Sequence, residues 1–247
     1  MNQPEMEYRQ KNPREDIIRA VVNNDLAWCL NKTAEIHGHY CPGSALGVIS
    51  TVYGLKQLGD GIMLSDGMEN LIAIVECNAC FADGVQIISG CTLGNNALVY
   101  RDLGRLAVTF AIRGEKDGIR VRVRPDFRSS INNLVPEFYP LMEKVIKDRQ
   151  GTPDDEAAFK NMGAKAAFAI LELPYEEILI SEKISPLLPE YAPITDSSIC
   201  SVCGEPVMAS KTVINGDNKI FCLLCNGKQY YQVDGRGISI INNNGEY

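Results

Sequence analysis

The sequence has no apolar run near the roughly 18 residues that a membrane-spanning helix requires. Its opening, MNQPEMEYRQKNPRED, is polar and charged and lacks the apolar stretch of a secretory signal. The expected location is therefore cytoplasmic, with no membrane partner. Basic residues are in deficit too: 24 Lys and Arg stand against 31 Asp and Glu, a net charge of −7. That balance argues against a broad nucleic-acid-binding surface. There is no Gly-rich nucleotide loop, Ser-His-Asp set, HExxH motif or internal repeat. Histidine is almost missing, with two in 247 residues, whereas cysteine is not, with nine. An odd count in a reducing compartment points to free thiols and metal ligands rather than disulfides.

Hydrophobic residues at 45% and charged residues at 22% give an ordinary globular composition. The length suits one main domain with a small appendage. Apolar spacing predicts helices over 15–36 and 43–58, the second apolar around most of its circumference and so largely buried. The run Leu71–Val75 reads as a buried strand and is followed by a helix that stops near Gly90. Strands are expected over 97–101, 105–113 and 118–124, and helices over 136–149 and 155–172. Pro186, Pro189 and Pro193 then punctuate a stretch without periodicity. The expected organisation is a core domain over 1–185, a linker over 186–194 and a Cys-rich module over 195–247.

In that module Cys200-Ser-Val-Cys203 and Cys222-Leu-Leu-Cys225 form two knuckles separated by 18 residues, the spacing of a zinc ribbon. Four thiolates on two tight turns can close a tetrahedron around Zn²⁺. Gly204 and Gly227 follow the knuckles, where a tight turn calls for positive φ. Zinc is the expected ion, with a rubredoxin-type iron site as its competitor. The module is too small to fold without the metal.

Both histidines, His37 and His39, lie within five residues of Cys41 in His-Gly-His-Tyr-Cys-Pro-Gly. On an extended segment His-x-His puts two imidazoles on one side. Cys41 precedes a helix, whose dipole lowers a thiol pKa. Imidazole with thiolate suits zinc, iron or copper; the plainer reading is a histidine pair satisfied by backbone carbonyls. Further on, Cys80 lies where a strand ends and a helix begins, a common place for sites in α/β proteins. Asp83 and Gln86 follow at helical spacing, and Cys91 and Thr92 sit in the next turn. Cys77 and Cys80 also make a Cys-x-x-Cys pair, a candidate redox dithiol. Arg120, Arg122 and Arg124 alternate along a strand as a solvated face, with an anion-holding role as the alternative.

The segment His37-Gly-His39-Tyr-Cys41-Pro-Gly-Ser-Ala-Leu-Gly47 resembles the opening motif of the formylmethanofuran dehydrogenase E-subunit (FmdE) family. Glu76-x-x-x-Cys80-x-x-Asp83-Gly-Val-Gln86-x-x-x-Gly90-Cys91-Thr92-x-Gly94 is similar to its second motif, which Leu98, Arg101-Asp102 and Gly104 continue. The C-terminal module resembles the ribbon that many members append. The resemblance implies an α+β core with a mixed or antiparallel sheet, a homodimer, and convergence of the His/Cys motif and Cys80 on one cleft. It also implies a link to molybdenum- or tungsten-dependent formylmethanofuran or formate metabolism, with a dehydrogenase subunit as partner. Asn95-Asn96 stand where the family usually has Lys-Gly, Gly84 where Ala is usual, and Cys77 where Thr or Val is usual.

The combined expectation is a zinc ribbon on Cys200, Cys203, Cys222 and Cys225 and a second ion, zinc or iron, in the core. His39, Cys41 and Cys80 are its preferred ligands, with His37 next. Cys80, Asp83 and Cys41 are the candidate catalytic groups, with Glu76 a further proton carrier, and Gln86, Cys91 and Thr92 are the candidate cofactor-binding positions. A non-enzymatic metal or cofactor accessory to a molybdoenzyme, and a thiol redox protein using Cys77 and Cys80, are the other two readings.

Overall fold

In a computed structural model, which describes residues 12–59 and 68–242, the helix expected over 15–36 is two: α1, Glu15–Val22, and α2, Leu26–His37. The polar N-terminal stretch and the outer ends of the expected domains, 1–11 and 243–247, lie outside the described residues. The break falls at Asn23-Asn24-Asp25. Asn24 takes φ +60°, a left-handed conformation that Asn tolerates better than most residues. Asp25 then caps α2, accepting from the Trp28 N–H at 3.0 Å. Local capping outweighs the apolar periodicity that runs through both segments.

The chain divides into two units, Met1–Pro189 and Glu190–Tyr247. The first is built around α3, Pro42–Gln57, of whose 16 residues 12 are buried. Pro42 occupies the first turn, where its missing N–H leaves nothing unpaired. β1, Leu71–Val75, is buried throughout and leads to α4, Cys80–Ser89, which Gly90 ends at φ +74°. β2 (Leu98–Tyr100), β3 (Ala107–Ile112), β4 (Gly118–Val123) and β5 (Leu179–Ile184) complete a sheet of order β2-β1-β3-β4-β5. Only β1 and β2 run parallel, so the sheet is mixed and the fold α+β. Leu-Ile-Ser-Glu-Lys-Ile gives little apolar signal, which is why β5 escapes a sequence reading: it is an edge strand with mostly exposed or half-buried residues. The rest of the unit is helical, with α5 (Phe127–Leu134), α6 (Phe138–Met142), α7 (Pro153–Leu171) and α8 (Tyr175–Ile178). The helix expected over 136–149 is α6 followed by a π-helical turn, Glu143–Lys147.

Two glycines set how α3 meets α4. A Cβ on Gly47 would lie 2.1 Å from the Phe81 carbonyl oxygen, and one on Gly84 would lie 2.6 Å from the Val48 nitrogen. The helices therefore touch backbone to backbone, which no residue larger than Gly permits at either position. This contact sets the N-terminus of α3 close to that of α4.

Glu76, 4% exposed, follows β1. Arg120 grips its carboxylate with two hydrogen bonds, 2.7 and 2.9 Å, and Arg105 adds an ion pair at 2.6 Å. Arg120 also reaches Glu182 on β5 at 2.7 Å. The solvated arginine face expected of β4 is thus overturned at Arg120, whose side chain is 14% exposed. Burial alone would raise the Glu76 carboxyl, but the hydrogen bonds and charge of Arg120, with those of Arg105, hold it below the usual carboxylate range. Glu76 is a fixed counter-ion rather than a proton carrier. Glu76→Gln is expected to lower stability by about 2 kcal/mol at neutral pH, since it removes the buried negative charge on which Arg120 and Arg105 converge and leaves Arg120 only the exposed carboxylate of Glu182. A depressed folded-state pKa gives stability that is present above the unfolded value and lost as pH falls through the folded one. The gap between wild type and variant in denaturant melts should therefore close below about pH 4; a gap independent of pH would refute this role.

The second unit consists of three hairpins: β6 (Ser197–Ile199) with β7 (Pro206–Met208), β8 (Thr212–Ile214) with β9 (Ile220–Cys222), and β10 (Tyr230–Asp234) with β11 (Gly237–Ile241). Among its described residues only Cys200 and Gly237 are buried. Apolar burial therefore contributes little to holding these hairpins together.

Candidate metal centre

Two groups of potential ligands are formed among the described residues, each with its ligand atoms within 4.8 Å of one another. The first is Cys200, Cys203, Cys222 and Cys225. Each knuckle turns on a glycine in the left-handed region, Gly204 at φ +74° and Gly227 at φ +65°, as the spacing predicts. Backbone N–H groups point at the sulfurs, Cys222 to Cys200 Sγ at 3.4 Å and Cys225 to Cys222 Sγ at 3.3 Å. Such bonds favour thiolates, and the backbone donors of Cys203, Cys222 and Val202 bring the Cys200 thiol down to about 6. The donor set fits an ion such as zinc: four sulfurs around Zn²⁺ would stand about 3.8 Å apart.

The second group is His37, Cys41 and Cys80. His37 is the last residue of α2, which Gly38 ends at φ +85°. The His-x-His pair is therefore not an extended segment with both imidazoles on one side. His37 belongs to the helix and points its Nε2 at Cys41 Sγ, 3.6 Å away. His39 lies beyond the turn and rests its ring on that of His37, centroids 4.4 Å apart. His39, the preferred histidine on sequence grounds, is not among the three converging ligands.

Cys41 caps α3. The Ser44 N–H lies 3.4 Å from its sulfur, and the Ser44 hydroxyl lies 3.5 Å from it. Ser44 is a site residue that sequence reasoning passed over, although Cys41-x-x-Ser44 has the spacing of a capping box. Cys80 opens α4 and presents its thiol to Cys41. Room for the two sulfurs comes from Gly43, where a Cβ would lie 3.0 Å from Cys80 Cβ and 3.8 Å from each sulfur. A hydrogen bond from Cys80, with those from Ser44 and His37, draws the Cys41 thiol well below its ordinary range against the opposing effect of burial. The same bond and burial push Cys80 up. The two sulfurs share one hydrogen bond and so titrate as a pair.

Behind His37 stands Asp83, whose Oδ2 lies 2.7 Å from Nδ1, and Gln86 Nε2 donates to Asp83 Oδ1 at 3.4 Å. Burial opposes a charge on His37, but Asp83 and Cys41 raise its pKa overall. A carboxylate on the far nitrogen of a histidine fixes the ring and its tautomer, as it does for histidines that hold metals. The 3.6 Å from Nε2 to Cys41 Sγ is also about the edge of a tetrahedron built from ordinary Zn–N and Zn–S lengths. The donor set thus fits a zinc-like ion with three protein ligands.

The other predicted positions take no part in this cluster. Cys77 is buried, and burial raises its thiol. Cys91 is buried under β1 with its thiol toward the Leu71 carbonyl, and burial pushes it up to about 11. Thr92 shapes a turn with Asn95, which accepts from the Thr92 N–H at 2.9 Å and donates to the Gly90 carbonyl at 2.7 Å. Asn96 takes φ +59°, a left-handed conformation that Asn tolerates better than most residues.

Comparison with known proteins bears on the family and the fold. The family model described as "FmdE, Molybdenum formylmethanofuran dehydrogenase operon" matches residues 36–180, which include all three converging ligands. A probable S-adenosyl-L-methionine-binding protein of Archaeoglobus fulgidus is 37% identical over 94% of this chain, which spans 58% of that protein's length. A crystal structure of a tungsten formylmethanofuran dehydrogenase FmdE-like protein from Syntrophus aciditrophicus shares the fold, with a TM-score of 0.51 and 22% identity over 82% of this chain and 92% of that one. No helix among the described residues is long and apolar enough to cross a membrane.

Proposed function

The chain belongs to the FmdE family, and from that premise we propose that its core holds an exchangeable divalent ion on His37, Cys41 and Cys80. The ion would serve molybdenum- or tungsten-dependent chemistry of formyl groups or formate. The observation that carries this reading is the convergence of three ligand atoms with a carboxylate, Asp83, already seated behind the histidine. Three protein ligands and an open fourth position distinguish working zinc sites from structural ones. A bound ion would supply Lewis acidity or an acidified water there. Asp83 would hold the His37 ring and take up or release its Nδ1 proton. Cys41, whose thiol Cys80, Ser44 and His37 draw down, would provide the negative ligand at little cost in deprotonation. The four-cysteine module is read as a structural zinc site, and the assembly as a cytoplasmic homodimer that docks with a dehydrogenase subunit. S-adenosylmethionine binding stays with the longer archaeal relative.

Metal counting by mass spectrometry on anaerobically purified full-length chain tests the reading. Wild type is expected to hold two ions per chain and Cys80→Ser one, with unchanged far-UV circular dichroism. Cys41→Ser should behave alike. If both variants keep every ion of the wild type, the core site is wrong. If the wild type holds one ion and its Cys41 and Cys80 are recovered as a disulfide, a thiol redox role replaces it.

A further inference from the structure

A cavity of about 460 Å³ opens beside the cluster, bordered by Gly38 and His39, by the π-helical turn and by α7. Val145, Ile146 and Phe159 give it an apolar wall; Arg149, Lys160 and His39 give it a cationic and polar one, with Glu156 as its acid. The structure leaves both cations free: neither Arg149 nor Lys160 has a salt-bridge or hydrogen-bond partner for its side chain among the described residues. Both residues are exposed, so their charges are open to an anion arriving from solvent. The backbone here is unusual twice over. Glu143–Lys147 is a π turn, a form that recurs at functional sites. Arg149 is held at φ +56°, a conformation a non-glycine residue keeps only where its surroundings impose it. His39 joins this cavity to the cluster, since its ring lines the one and rests on His37 of the other.

We propose that this cavity binds a small organic anion, its carboxylate between Arg149 and Lys160 and its apolar body against Val145, Ile146 and Phe159. The volume lies within the range of small-molecule sites, about 300–1,000 Å³, so a one-carbon acid alone would leave most of it to water. An apolar wall beside two side-chain cations suits a carboxylate on a hydrocarbon better than a bare phosphate. The site's role as the place where substrate waits beside the ion rests on the metal reading above; the binding itself does not.

Titration calorimetry on the full chain tests the inference with three probes: octanoate, its uncharged amide and inorganic phosphate. Octanoate is expected to bind, and octanamide to bind at least about tenfold more weakly, the loss of a charge-assisted hydrogen bond pair. The double variant Arg149→Gln/Lys160→Gln should lose about tenfold toward octanoate while its metal count and circular dichroism stay those of wild type. Phe159→Ala should weaken octanoate and octanamide alike. Equal binding of octanoate and octanamide, an unchanged double variant, no binding of octanoate, or phosphate bound more tightly than octanoate each overturns the proposal. Octanoate titration and metal counting on wild type and Cys80→Ser separate the two readings: octanoate binding that persists in Cys80→Ser stands for the cavity alone, and a metal count equal to that of wild type removes the metal centre alone.

Discussion

Stripping the ion from Cys200, Cys203, Cys222 and Cys225 is expected to unfold residues 190–242 while the first unit keeps its structure. The reason is the near absence of an apolar core there, where Cys200 and Gly237 alone are buried among the described residues. Structural zinc sites on short peptides contribute about 10–16 kcal/mol near neutral pH, far more than three hairpins of two strands could contribute alone. Hydrogen exchange on the full chain, followed while a chelator is titrated and metal is counted, should show protection vanish in β6 to β9 with the loss of that ion. Protection in β1, β3 and α3 should survive. Zinc is colourless and an iron tetrathiolate is not, so a visible spectrum of the starting sample separates the two ions. Retained protection of β6 to β9 at zero metal would show that something other than the thiolates holds the unit.

Gly47→Ala is the second large effect. The added methyl would lie 2.1 Å from the Phe81 carbonyl oxygen and 3.2 Å from Gly84 Cα, so α3 and α4 must separate along their whole contact. A backbone clash of this kind belongs at the upper end of overpacking costs, about 4 kcal/mol. The same movement would carry Cys80 away from Cys41, so urea melts and metal counting should respond together. Gly114→Ala serves as the control, because nothing lies within 4 Å of its Cβ; it should show only the moderate strain of its φ of +87°. A Gly47→Ala protein as stable as wild type would mean that the helices slide apart without loss.

What the sequence reveals here, and what it conceals, follows from the range of the interactions. The ribbon is legible because a metal fixes the spacing of its ligands along the chain, Cys-x-x-Cys twice. The sheet's buried strands β1 and β3 are legible because they are apolar almost without interruption. At the core cluster, the presence of a His/Cys motif is plain, but the choice of histidine is not. It depends on α2 reaching to His37 before Gly38 turns the chain, and helix ends are set by capping rather than by periodicity. Arg120 misleads in the same way: alternation places it on one face of β4, but only the tertiary fold brings Glu76, 44 residues away, into that face. Ser44 and Gly43 belong to the same lesson, since their roles exist only once α4 has brought Cys80 to Cys41.

The side chain that starts the central helix is also one of the three converging ligands of the core. Cys41 caps α3 through its sulfur, so the atom that would take an ion, an electrophile or an oxidant is the one that also anchors a helix with 12 of its 16 residues in the interior. Oxidation of that sulfur withdraws a helix cap, a change of about 1 kcal/mol, and places charged oxygens among buried side chains. Chemical damage at this position is therefore written directly into the stability of the fold. A chain oxidised at this sulfur should open more readily to a protease than the reduced one.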